Sequence, residues 1–114
     1  MDIALWDTAG QEEYDRLRPL SYPGANIVLI CFSVDEPVSL SNIPIKWVPE
    51  VRHYCPQLPY VLVACKTDLR NDPETINRLK GRNSSPITAD QVGCNLMAFW
   101  LHAVASYCRG RAMY

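Results

Sequence analysis

Three runs of apolar residues stand out along the chain: Ile3 to Trp6, Ile27 to Phe32 and Tyr60 to Cys65. The second and third are continuous rather than alternating, and rich in Val, Ile and aromatics, as are strands covered on both faces of a parallel sheet. All three are expected as strands. Between the second and third, Leu40, Ile43, Trp47, Val51 and Tyr54 recur every three or four residues, which predicts one apolar helix face over Glu36 to Tyr54. Pro37 suits the first turn of that helix, with Asp35 as its cap. Pro44 and Pro49 each remove a hydrogen bond from a helix interior, so the helix is expected to be bent or broken. Strand, helix and strand over this length make a parallel crossover unit, and the class is α/β.

Downstream, Asp72-Pro73-Glu74 opens a short helix that Gly81 closes. Its large apolar residues are Ile76 and Leu79, and Arg78, Lys80 and Arg82 form a solvated basic face. Thr88 and Gln91 have the spacing of a reciprocal N-terminal cap and start another helix. From Gln91 to Cys108 there is no Asp, Glu, Lys or Arg. Leu96, Met97, Phe99, Trp100, Leu101, Val104 and Tyr107 crowd nearly every face of the helix expected there. Asn95, His102 and Ser106 interrupt the run, whereas a membrane span needs about 20 mostly apolar residues. A buried or associating helix is the reading that follows.

Composition narrows the function classes. The chain of 114 residues suits one domain, and 48% hydrophobic with 20% charged residues is globular composition. Eleven basic against 12 acidic residues give a net charge of −1, which argues against a nucleic-acid binder. The five cysteines are odd in number and contain no C-x-x-C, which fits free thiols in a reducing compartment. His53 and Cys55 have no second pair at metal-ligand spacing.

In an open parallel sheet, ligands bind beyond the carboxyl ends of the strands. The first run leads into Asp7-Thr8-Ala9-Gly10-Gln11, the second into Ser33-Val34-Asp35, and the third into Lys66-Thr67-Asp68. A carboxylate at a strand end holds Mg²⁺ through water beside a phosphate. A glycine shortly after it lets a backbone N–H approach that phosphate, and a neighbouring glutamine orients an attacking water. A Lys-x-Asp offers a carboxylate to the paired donors of a purine edge. Singly these features are common turns and caps, but D-T-A-G-Q has them in the order phosphoryl transfer needs.

The run from Trp6 through D-T-A-G-Q-E-E-Y-D-R-L-R-P-L-S-Y to Pro23 closely resembles the switch II region of Rho-family small GTPases. The resemblance continues through I-C-F-S-V-D-E-P-x-S-L and K-W-V-P-E-V-R-H-Y-C-P to C-K-T-D-L-R-N-D, over roughly residues 2 to 92. It implies a partial Ras-like P-loop NTPase fold, a parallel sheet with flanking helices, and a switch that binds and hydrolyses GTP with Mg²⁺. By that resemblance Asp7 holds Mg²⁺ through water, the Gly10 amide senses the γ-phosphate, and Gln11 orients the hydrolytic water. Lys66 packs on the guanine ring and Asp68 pairs with its edge. Trp6, Tyr14, Arg16, Leu17 and Leu20 belong to the surface that meets exchange factors, GTPase-activating proteins, dissociation inhibitors and effectors.

The pattern is incomplete. These residues contain no G-x-x-x-x-G-K-[ST], no switch I threonine, no S-A-K loop after the Thr88 helix and no C-terminal prenylation motif. The expectations are a GTPase segment over 1–91, a divergent tail over 92–114, a cytoplasmic protein without a lipid anchor, and no tight nucleotide binding by this chain. The alternatives are a non-catalytic fragment presenting switch II to partners, or a gene-model fragment with no function of its own.

Overall fold

The computed structural model describes residues 2–97 and 106–107. In it the two continuous apolar runs pair in parallel. β1 (Val28–Ser33) and β2 (Tyr60–Cys65) are in register from Val28 opposite Tyr60 to Ser33 opposite Cys65. A parallel pair needs a crossover, and it consists of α1 (Pro37–Asn42), a π-helical turn (Ile43–Trp47) and α2 (Val48–Tyr54). The expected break thus falls among the prolines. Pro44 has no N–H to donate and its ring crowds the preceding turn, so the helix widens there.

Burial follows the widened turn. Leu40, Ile43, Val48, Val51 and Cys55 face the core, and the step of five from Ile43 to Val48 crosses the π turn. Trp47 packs partly buried against this core, while Val48 takes the interior position. Ile30 and Phe32 of β1, Tyr60, Leu62 and Ala64 of β2, and Val34, Ile87 and Val92 complete the same cluster.

Several expectations need correction. Ile3 to Trp6 forms no strand: residues 2–10 are irregular and exposed, and the outer edge of β1 is left without a partner strand among the described residues. β1 is covered on one face only. Ile30 and Phe32 are buried, whereas Leu29 and Cys31 are exposed. Asp35 does not cap α1; Glu36 holds that position without a side-chain bond, and the Asp35 carboxylate binds elsewhere.

α3 (Pro73–Lys80) begins as expected, with Asp72 Oδ2 accepting the Thr75 N–H at 2.8 Å. It closes at Gly81, also as expected, but Gly81 keeps right-handed geometry, and Asn83, at φ 52°, supplies the left-handed residue. The Ser84 N–H then reaches back to the Leu79 carbonyl at 2.9 Å. Arg78, on the solvated basic face, also pairs with Asp35.

α4 (Ala89–Met97) opens with the expected reciprocal cap. The Thr88 N–H donates to Gln91 Oε1 at 2.9 Å and the Gln91 N–H to Thr88 Oγ1 at 3.3 Å. A helix reaching Cys108 is overturned, because Ser106–Tyr107 is β3, parallel to β2 with Val63 opposite Ser106. The second edge of β2 presents unpaired N–H and C=O groups, which a strand satisfies and a helix cannot. The crowding expected around Phe99, Trp100, Leu101 and Val104 lies outside the described residues. No helix among the described residues is long and apolar enough to cross a membrane.

Candidate functional site

The crossover returns the chain to the sheet so that the carboxyl ends of β1 and β2 lie side by side, with Ser33 opposite Cys65. Asp35 and Lys66 emerge there. Lys66 adopts left-handed geometry, at φ 55°, and caps a 3₁₀ turn over Thr67–Asn71. Its carbonyl accepts the Leu69 N–H at 3.0 Å. The turn leaves Lys66 and Asp68 exposed at the sheet end.

Asp35 organises this corner from beneath. One carboxylate oxygen accepts from the Ser33 hydroxyl and faces Lys66 Nζ at 3.5 Å; the other accepts from Arg78 Nη2 at 3.0 Å. Burial alone pushes its pKa up, but the Ser33 hydroxyl, Lys66 and Arg78 outweigh it and hold the carboxyl below the usual range. Asp35 therefore stays ionised and links β1, the Lys66 turn and α3.

The D-T-A-G-Q run has a separate seat, centred on Arg18. The Arg18 side chain is only 3% exposed. Nε donates to the Ala9 carbonyl at 2.8 Å, and Nη2 donates to the Gln11 carbonyl at 3.1 Å and to Asp15 Oδ1 at 2.9 Å. Nη1 donates to Glu50 Oε2 on α2 at 2.7 Å. The guanidinium lies 4.8 Å from the centre of the Trp47 ring. Tyr22 donates its hydroxyl to the other Glu50 oxygen. Burial and that carboxylate push the Tyr22 pKa well up. Lys46 completes the cluster, 3.1 Å from Asp15 and 4.9 Å from the Trp47 ring centre. Burial alone lowers the Arg18 pKa, but Asp15 and Glu50 more than reverse it.

The expected site residues therefore fall in two places. Asp7, Gly10 and Gln11 lie exposed on the segment that Arg18 holds; Lys66 and Asp68 lie at the end of β2. Trp6 (81% exposed) and Leu20 (74%), with Tyr14, Arg16 and Leu17, present an apolar and basic surface around the same segment. A recess of about 170 Å³ between them is lined by Thr8, Ala9, Tyr14, Leu17, Arg18 and Ser21. The residue that sequence reasoning missed is Arg18. Its only signal was position, in a run of alternating basic and apolar residues where solvent exposure is the default reading.

The donor set can be judged against the expected ligands. Asp7 supplies one exposed carboxylate, enough for a water-mediated contact to Mg²⁺, which keeps most of its own waters. No cluster of three His, Cys, Asp or Glu side chains among the described residues could hold a metal without further ligands. Lys66 and Asp68 have the chemistry to hold a purine, a cation stem for its face and a carboxylate for its donor edge.

Comparison with known proteins identifies the family of the chain. Residues 1–99 match the Ras family model. The chain is 57% identical over 100 residues to the GTP-binding protein RHO1 of Saccharomyces cerevisiae, covering 82% of this chain and 48% of the relative. It is 60% identical over 91 residues to the GTP-binding protein rho5 of Schizosaccharomyces pombe (80% and 46%). To the human Rho-related GTP-binding protein RhoB it is 58% identical over 90 residues (79% and 46%). The chain spans about half the length of the curated relatives it matches.

Proposed function

Since the chain belongs to the Ras family and is similar to Rho-type GTP-binding proteins, we propose that it is the central segment of a GTP-binding and GTP-hydrolysing signalling switch. In this reading residues 1–91 are the GTPase segment and 92–114 a divergent tail. Lys66 and Asp68 receive the guanine base. The Gly10 amide faces the terminal phosphate, Gln11 orients the attacking water, and Asp7 holds Mg²⁺ through water. Bound Mg²⁺ would neutralise charge developing on the phosphates. Trp6, Tyr14, Arg16, Leu17 and Leu20 meet exchange factors, GTPase-activating proteins, dissociation inhibitors and effectors in the cytoplasm. The observation that carries the reading is the Lys66–Asp68 turn, exposed at the carboxyl end of a parallel strand.

These 114 residues contain no phosphate-cradling loop, so the chain alone holds the base far better than the phosphates. If about four charge-assisted hydrogen bonds to phosphate are lost, at roughly 1.5–3 kcal/mol each, this removes on the order of 6–12 kcal/mol, about four to nine decades of affinity. The test is an NMR titration of the ¹⁵N-labelled chain with GDP and with ADP, both with Mg²⁺. GDP should shift the amides of residues 66–68 at millimolar concentration, and ADP should not. Absence of any shift there overturns the base subsite, and nanomolar GDP binding overturns the division of labour.

A second reading is favoured by the exposure of Trp6 and Leu20 beside a segment already held by Arg18. The chain then presents switch II to regulators without turning over nucleotide, and it would bind an exchange factor in the absence of GDP.

A further inference from the structure

Arg18 grips two carbonyls that bracket Gly10. Nε takes the Ala9 oxygen at 2.8 Å and Nη2 takes the Gln11 oxygen at 3.1 Å. A peptide group is planar and trans, so its C=O and N–H point in opposite directions. Holding the Ala9 oxygen therefore turns the Gly10 N–H away from the guanidinium. Holding the Gln11 oxygen does the same for the Glu12 N–H.

Trp47 borders the other side of Gly10. A Cβ built on Gly10 lies 3.6 Å from two carbons of the Trp47 ring, so the ring edge closes the space that a side chain there would occupy. The ring in turn stacks on the guanidinium. The grip is anchored to the crossover helix through Glu50, whose second oxygen is taken by Tyr22. The planar guanidinium uses three nitrogens at once, a span that the single ammonium of lysine cannot cover.

From this arrangement we infer that Arg18 is a positioning residue, which sets the Ala9–Gly10 peptide plane so that the Gly10 N–H is presented outward before any ligand arrives. The inference rests on the proposed role of the Gly10 amide at a phosphate, and it adds the group that aims the amide. It also gives the π turn a place in the site, since Trp47 ends that turn and Glu50 follows it on α2.

The experiment is backbone ¹⁵N relaxation on the full 114-residue chain without nucleotide, comparing wild type, Arg18→Lys and Glu50→Gln. In the wild type the Gly10 and Glu12 order parameters should lie near the rigid value of about 0.85, against less than about 0.6 for flexible backbone. Arg18→Lys, which keeps the charge and loses the fork, should bring both below about 0.6 while β1 and β2 amides keep their wild-type values. Glu50→Gln, which keeps Arg18 and weakens its anchor, should fall between the two. A mobile Gly10 in the wild type overturns the inference, as does a rigid Gly10 in a folded Arg18→Lys chain. If Arg18→Lys does not fold, an unchanged Gly10 in Glu50→Gln overturns it instead. No nucleotide enters these measurements. A chain with an ordered Gly10 that fails the GDP titration therefore removes the nucleotide reading and leaves the positioning role standing.

Discussion

Replacing Glu50 with alanine tests the Arg18 seat through stability. The Glu50 side chain is 12% exposed and its partner Arg18 is 3% exposed. Removing one member of a buried ion pair costs about 3–5 kcal/mol, because the other charge is left uncompensated. Asp15 reduces that cost here, since it still faces Nη2 at 2.9 Å, although it is 43% exposed and screened by water. The Ala9 and Gln11 carbonyls keep two further donors satisfied. A residual loss of about 2 kcal/mol for the pair and roughly 1 kcal/mol for the Tyr22 hydroxyl gives about 3 kcal/mol. That is a large fraction of the about 5–15 kcal/mol that stabilises an ordinary domain. Urea unfolding followed by circular dichroism measures it. The midpoint should drop by about 1–3 M with an unchanged slope. In a cycle with Arg18→Met, the second substitution should cost about 2 kcal/mol less than the first, since the interaction is already gone. A Glu50→Ala loss below about 1 kcal/mol, or strict additivity in the cycle, would refute the reasoning.

The remaining predictions concern the sheet end and α3. Asp35→Asn should destabilise the chain by about 1–2 kcal/mol at neutral pH, discounted because Lys66 and Arg78 are half-exposed. The Asp35 carboxyl is held below its ordinary value of 3.8, so its contribution is complete above that value and fades as pH falls through the folded-state value. Wild type and variant should therefore converge in strong acid, and a gap that persists there in urea titrations contradicts the assignment. Asp72→Ala removes the bond to the Thr75 N–H and should cost about 1 kcal/mol, visible as faster amide exchange in the first turn of α3. Leu79→Ala empties a position that is 1% exposed and should cost about 2–5 kcal/mol in the same unfolding assay.

The elements legible in the sequence were those whose cause is local. The Asp72 cap, the Thr88–Gln91 exchange and the proline break depend on neighbours within a few residues. The parallel pairing of β1 and β2 was legible too, since two continuous apolar runs joined by one amphipathic segment leave few other solutions. Ile3 to Trp6 failed as a strand because a strand needs a partner, and hydrophobicity alone does not provide one. Asp35 and Arg78 each have an ordinary local role in the sequence, a cap and a surface charge. Their pairing joins residues 43 positions apart. Arg18 was missed for a similar reason, since its anchor Glu50 lies 32 positions away. The pieces of the candidate site were read as residue types in order, but what holds them depends on contacts that the linear spacing does not show.

The π turn has a consequence for changes in chain length. An α-helix with one surplus residue bulges locally and returns to its original phase, so the flanking turns keep their faces. Here the step from Ile43 to Val48 is five, and removing one residue between them, such as the exposed Ile45, leaves four, the α-helical spacing. Leu40, Ile43, Val51 and Cys55 would then meet the same neighbours as before. A one-residue deletion in α1, or in α2 ahead of Glu50, would instead rotate everything beyond it by about 100°, carrying Glu50 away from Arg18. The crossover can therefore absorb a deletion within residues 43–47 far more readily than in the turns on either side.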